Sequence, residues 1–208
     1  MKLSAPQRKD FYYRKAKRDN FRSRAAFKLM ELQTKYSILR SGDYALEIGS
    51  SPGGWSQIIT SITGNPLISV DLNEMEKLEN VIFIRGNISS ETTKLRIREA
   101  MATLRIERFS VILSDAMSKT SGKRDIDHSS SYLLCREVMN LAVDFLTENG
   151  NVVVKQFQGD LTSGFMNDWA GKFHHSRITS VAASRDASSE VYMIFKGYIS
   201  QEKPRPFS

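Results

Sequence analysis

Three features of this 208-residue chain could do chemistry. The first is a turn of small residues, Gly49-Ser50-Ser51-Pro52-Gly53-Gly54, between the short apolar run 44–48 and the apolar stretch 55–62. Such a turn between strand and helix lets a ligand approach main-chain N–H groups at a helix start. The second is Asp71, which closes the next apolar run twenty-two residues after Gly49. From that position a carboxylate can accept both hydroxyls of a ribose. Together they describe a nucleoside site, with a purely structural tight turn as the competing reading. The third is charge closing an apolar run: Asp115 after 109–113, and Lys155 after Val152-Val153-Val154. Desolvation at a strand end pushes a lysine toward its neutral, basic form, whereas nearby carboxylates favour the ammonium.

Two familiar glycine motifs are disfavoured. The spacing Gly-x-x-x-Gly-Gly is not the dinucleotide pattern Gly-x-Gly-x-x-Gly, and Trp55-Ser56 replaces the Lys-Ser/Thr of a phosphate-cradling loop. Gly49-Ser50-Ser51-Pro52-Gly53 also satisfies Gly-x-Ser-x-Gly, the turn that carries a hydrolase serine. Ser51, Asp115 and His174 or His175 would complete a triad in the right order. The oxyanion hole of that fold needs the N–H of the next residue, however, and Pro52 has none. Trp55 is either core packing at a helix start or a wall beside a ligand; its place next to Gly54 favours the wall. The three histidines, His128, His174 and His175, have no ligand-spaced partners, so no metal site is expected. Cys135 reads as a small buried apolar residue.

The elements that must position these residues alternate. Residues 11–39 contain no Gly or Pro and read as one or two basic amphipathic helices. A strand at 44–48 runs into the glycine turn, followed by a helix at 55–62, strands at 67–70 and 81–84 and a helix at 91–104. A strand at 109–113, a helix at 132–146 and a strand at 151–154 complete the alternation, which argues for a parallel sheet covered on both faces. The runs 177–182 and 191–198, with no helix between them, predict an antiparallel hairpin at one side. Residues 119–131 read as a polar loop and 201–208 as a tail.

Composition agrees with one globular domain: 40% apolar, 25% charged residues and a single cysteine. Residues 1–40 form a basic helical arm of the same domain, and 41–200 its body. No apolar run approaches the roughly 20 residues that would span a bilayer, and a cytoplasmic location is expected. The first forty residues hold 12 Lys and Arg against 3 Asp and Glu, a net +9, while the remainder is −2. Interleaved with Phe11, Tyr12, Tyr13, Phe21 and Phe27, this charge suits a polyphosphate partner or, more plainly, a solvated helix.

At four places the chain resembles the FtsJ/RrmJ family of S-adenosylmethionine-dependent RNA ribose 2′-O-methyltransferases. These are Ser23-Arg24-Ala25-Ala26-Phe27-Lys28-Leu29, Pro52-Gly53-Gly54-Trp55-Ser56, Ser114-Asp115 and Val153-Val154-Lys155-Gln156-Phe157-Gln158-Gly159. The resemblance runs from about residue 20 to residue 198. It implies a Rossmann-like α/β fold: a mostly parallel seven-stranded sheet with one antiparallel strand and helices on both faces. It places a catalytic set on Lys28, Asp115, Lys155 and Glu190, and contacts to S-adenosylmethionine on Gly53, Trp55, Asp71, Asn87 and Asp115. The implied partner is RNA, foremost a uridine of large-subunit ribosomal RNA, gripped by Arg22, Arg24 and Lys28 of the basic arm. The protein is expected to act as a monomer.

Three departures bear on these expectations. Glu47 stands where relatives often carry Asp, keeping the charge. Asn87 replaces an Asp that accepts from the adenine amino group, so that hydrogen bond loses its charge. No proline follows Asp115, which leaves the shape of the next loop open. Whether Lys155 removes the proton of the 2′-hydroxyl or steadies the oxygen as a fixed cation is also left open.

Overall fold

The computed structural model describes residues 5–118, 121–184 and 189–200. Helices α1 (Ala5–Arg18) and α2 (Ala25–Tyr36) precede the sheet. Then come β1 (Ala45–Ile48), α3 (Gly54–Thr63), β2 (Leu67–Asp71), β3 (Val81–Arg85), α4 (Glu91–Leu104) and β4 (Phe109–Ser114). The chain continues through α5 (Arg124–Phe145), β5 (Leu146–Phe157), α6 (Leu161–Ala170), β6 (Phe173–Thr179) and β7 (Glu190–Tyr198). The strands form one seven-stranded sheet in the order β3-β2-β1-β4-β5-β7-β6. Pairing is parallel from β3 to β5, while β7 runs antiparallel to both β5 and β6.

The central strands are buried on both sides because alternate residues feed different layers. Ala45, Leu67, Val111, Leu113, Val153, Tyr192 and Ile194 pack with α2 and α3. Leu46, Ile48, Ile68, Val70, Ile112, Val152, Val154, Met193 and Phe195 pack with α4, α5 and α6. The expected fold class is thus observed, with the antiparallel element on one side of the sheet.

The strand order reverses beside β1, between β2 and β4. There the crossover helices leave on opposite faces and a crevice opens beyond the carboxyl ends of the strands. Asp71, Asp115 and Lys155 all lie at or beside those ends.

Several boundaries differ from expectation. Helix α5 begins at Arg124 rather than near 132, so part of the polar stretch 119–131 is helical. His128 and Ser131 anchor it: His128 Nδ1 bonds the Phe157 carbonyl at 2.7 Å, and Ser131 Oγ accepts the Phe157 N–H at 3.1 Å. Helix α6 is absent from the sequence expectations, and its core contribution is Thr162 and Phe165. β6 starts at Phe173 rather than 177 and exposes most of its length. The hairpin connection at 185–188 and the tail lie outside the described residues. Among the described residues no helix is long and apolar enough to cross a membrane.

The turn after β1 depends on Gly49, whose φ is +79°. A Cβ there would run into the main chain of Ala116, so β1 and the loop after β4 close together only without a side chain. Gly49→Ala is expected to destabilise the protein by about 2 kcal/mol or more in urea unfolding. Unchanged stability would contradict this packing.

Candidate active site

Sheet register assembles the site. Ser114 of β4 pairs with Val154 of β5, which puts Asp115 beside Lys155; Lys155 in turn pairs with Tyr192 of β7. Glu190 lies two residues before Tyr192 and therefore on the same face. Lys28 reaches this row from α2, which packs over that face.

The resulting contacts are short. Lys155 Nζ donates to the Asp115 main-chain carbonyl at 2.6 Å and lies 3.0 Å from Asp115 Oδ1. Tyr192 donates its hydroxyl to the same Oδ1 at 2.8 Å. Lys28 Nζ pairs with Glu190 Oε2 at 2.8 Å and sits 5.8 Å from the centre of the Tyr192 ring, within reach of a cation–π attraction. The two lysines are only 6% and 7% exposed. Buried charge of this kind persists when paired, and here two cations meet two anions.

The electrostatics follow from that pairing. Burial pushes the Asp115 carboxyl up, but Lys155, Lys28 and the hydrogen bonds from Lys155 and Tyr192 outweigh it and hold the group below its ordinary value. For Glu190, burial is likewise outweighed by the Lys28 ammonium and its hydrogen bond. Burial and the two carboxylates raise the Tyr192 hydroxyl well above 10, so it remains a donor at neutral pH. Cys135 donates its thiol to the Lys155 carbonyl at 3.0 Å. Burial pushes that thiol up to about 12, so it is the inert apolar residue expected.

A cavity of about 530 Å³ opens at the strand ends. Asp71, Asn87, Asp115 and Lys155 all line it, with Gly49 and Ser51 of the turn and the apolar side chains of Ile88, Met117 and Leu133. Asp71 is oriented by the main chain: Oδ2 accepts the Ser51 N–H at 2.9 Å and Oδ1 that of Asn73 at 2.7 Å. Each oxygen keeps a second acceptor site, which fits two vicinal ribose hydroxyls. Asn87 accepts the Ser89 N–H at 3.0 Å through Oδ1, which likewise retains acceptor capacity.

Other sequence expectations end up elsewhere. The Trp55 side chain is no wall of this cavity. It is 2% exposed, donates its indole N–H to the Ala25 carbonyl at 2.8 Å and packs on Tyr192 with ring centres 5.9 Å apart. Gly53 also lies outside the lining, beneath Arg22, Met75 and Leu78. Arg22, expected to face RNA, is instead turned onto main-chain carbonyls of its own chain. The hydrolase reading fails: Ser51 Oγ donates to the Glu74 carbonyl at 3.1 Å, and His174 and His175 lie on β6 at the far edge of the sheet. Tyr192 is a site residue that sequence reasoning missed, although its alternation with Glu190 in one strand carried the signal.

The FtsJ-like methyltransferase family matches residues 21–198. The chain is 48% identical over 188 residues to the ribosomal RNA large subunit methyltransferase E of Picrophilus torridus, a match spanning 90% of this chain and 97% of that one. It is 49% identical over 194 residues to the protein of the same name from Thermoplasma acidophilum, spanning 93% and 94%. The crystal structure of a ribosomal RNA methyltransferase from Plasmodium falciparum superposes with a TM-score of 0.79 at 28% identity, over 87% of this chain and all of that one. The protein is therefore a methyltransferase, and it belongs to the FtsJ-like family.

Glu47 is the acidic residue before the glycine turn, and its carboxyl is wholly buried. It is 1% exposed and accepts from the equally buried Ser56 hydroxyl at 2.5 Å. Burial raises its pKa from 4.5 to about 8, with the nearby Asp115 and Asp71 adding to the effect of burial and the Ser56 hydrogen bond opposing it. The sign follows: the fold favours the protonated acid, so its contribution to stability is complete below about pH 4.5 and is lost as pH rises to about 8. Across that window the unfolding free energy is expected to fall by about 1.4 kcal/mol for each step of one in pH. In Glu47→Gln the slope should flatten; an unchanged pH profile would count against a neutral Glu47.

Proposed function

We propose that this enzyme methylates the 2′-hydroxyl of a ribose in RNA, using S-adenosylmethionine, and that its acceptor is a uridine of large-subunit ribosomal RNA met in the cytoplasm. The observation that carries the reading is the Lys155 amine, fixed by Asp115 on the wall of a cavity that the Asp71 carboxylate also lines. The names of the relatives support the choice of ribosomal RNA. When bound, the donor supplies an electrophilic methyl group on a sulfonium.

Asp71 accepts the ribose hydroxyls of the donor, and Asn87 accepts from the adenine amino group. Gly53 and Trp55 contribute through the turn they support rather than through side chains in the cavity. The chain must then orient an acceptor oxygen that is a very weak acid and make it nucleophilic. Two hydrogens of the Lys155 amine are committed to the Asp115 carbonyl and carboxylate. The remaining position faces the acceptor hydroxyl: a neutral amine takes its proton there, and an ammonium steadies the developing oxygen anion. Asp115 orients the amine, Tyr192 holds Asp115, and the Lys28–Glu190 pair completes the polar surface against the acceptor ribose.

The basic helices supply the electrostatic hold on RNA. The last turn of α1 carries Lys15, Lys17 and Arg18. Arg24 remains the contact expected at the start of α2.

Lys155→Ala is expected to abolish methyl transfer while leaving the affinity for S-adenosylhomocysteine near wild type; substantial residual turnover would refute the role given to the amine. Charge reversal at Lys17 and Arg18 should weaken RNA binding by about tenfold or more at moderate salt and flatten its salt dependence, with affinity for the donor product unchanged. To identify the acceptor, the protein is incubated with donor carrying a labelled methyl group, together with total RNA and ribosomal subunits. Label on a large-subunit ribose 2′-oxygen is expected. Label confined to transfer RNA or to a messenger cap would overturn the choice of acceptor.

A further inference from the structure

Arg22 lies on the segment between α1 and α2, among residues that charge alone would assign to RNA. Its side chain is 21% exposed. Nη1 donates to the Pro52 carbonyl at 3.3 Å and to the Glu76 carbonyl at 2.6 Å, and Nη2 donates to the Lys77 carbonyl at 2.9 Å. The first acceptor belongs to the glycine turn, the other two to the loop between β2 and β3. A guanidinium has five N–H donors in a rigid plane, and here three of them bridge two irregular segments of the same chain.

The arginine is itself held in register. Gln57 of α3 accepts the Arg22 N–H at 2.8 Å and donates to the Asn20 carbonyl at 3.0 Å, so one side chain fixes both edges of the segment. The aliphatic stem lies over Gly53, where a Cβ would come within 3.1 Å of Arg22 Cδ. Gly53 has φ +110°, so the turn beneath the stem has both a backbone and a contact reason for glycine.

The two bridged segments are walls of the cavity: Ser51 on the turn, Asp71, Leu72 and Asn73 at the start of the loop. On the cavity side, Ser51 ties the turn to Asp71 and to the Glu74 carbonyl. Arg22 closes the same pair from behind. Segments without regular hydrogen bonding open at low free energy, and a clamp on both sides keeps the Asp71 carboxylate and the turn N–H groups at a fixed separation.

We infer that Arg22 is a positioning residue of the methyl-donor site, acting from the outer side of the turn, and not a phosphate contact. The inference rests on the reading of this cavity as the donor site. Its prediction is a split: donor affinity depends on Arg22, and RNA affinity does not.

The test titrates S-adenosylhomocysteine by calorimetry, and a large-subunit ribosomal RNA fragment at several salt concentrations, into wild type, Arg22→Met and Arg22→Lys. Arg22→Met is expected to weaken S-adenosylhomocysteine by about tenfold or more while RNA affinity changes by less than about threefold and its salt slope stays the same. In turnover the KM for donor should rise, with kcat at saturating donor near wild type. Arg22→Lys keeps the charge but cannot span both segments, so it should weaken the donor product to an intermediate degree with RNA binding intact. That variant gives the answer should Arg22→Met fail to fold. Loss of RNA affinity with a shallower salt slope and unchanged binding of S-adenosylhomocysteine would overturn the inference. A wild-type protein that binds RNA but takes up no S-adenosylhomocysteine would overturn the donor reading, and this inference with it.

Discussion

An amine at the end of a buried strand stays where it is put only if fixed acceptors surround it, and for Lys155 those acceptors come from Asp115. One is a main-chain carbonyl and cannot rotate away. The other is a carboxylate oxygen that Tyr192 also grips from the neighbouring antiparallel strand. The amine is therefore aimed by the sheet itself, because the three residues stand on adjacent strands in register. Exchanging the order of β4, β5 and β7 would separate the partners, and sliding the register by one residue would turn one of them to the opposite face. The antiparallel strand thus does more than finish the sheet: it brings Tyr192 and Glu190 to the carboxyl end of β5, where Lys28 closes the group.

The same economy of buried charge explains Glu47. No salt bridge is formed by its carboxyl among the described residues, and its hydrogen-bond partner is Ser56, so burial leaves it favouring the neutral acid. It ties β1 to the first turn of α3 and therefore sets the entry angle of the helix behind the glycine turn. A cavity wall built on main-chain groups needs this kind of support, since a turn lacks the ladder that steadies a strand. The Arg22 clamp and the Gly49 contact act on the same turn from two other directions.

Much of this architecture was legible in the sequence. Strand and helix alternation, the glycine turn, Asp71 and the strand-end positions of Asp115 and Lys155 follow from periodicity and from charge closing apolar runs. Lys28 and Glu190 were not legible by themselves: they stand 162 positions apart, and a basic helix and a hairpin each offer plainer readings. Family resemblance supplied them. Helix α6 escaped because Gly164 and several small polar residues blur its period and because it buries little. The early start of α5 escaped because its anchors, Phe157 and Leu161, come from the far side of β5. The directions of the Trp55 and Arg22 side chains were not legible for one reason: residue type near a motif says what a side chain can do, while its direction depends on tertiary partners such as Ala25, Pro52 and Lys77.

The central claim is geometric, that the methyl donor lies between Asp71 and Lys155 in one cavity. A crystal structure of the protein with S-adenosylhomocysteine tests it most directly. The account predicts density in that cavity with the ribose hydroxyls on the Asp71 carboxylate and the sulfur toward the Lys155 amine. A product bound elsewhere, or one whose sulfur points away from Lys155, would contradict it.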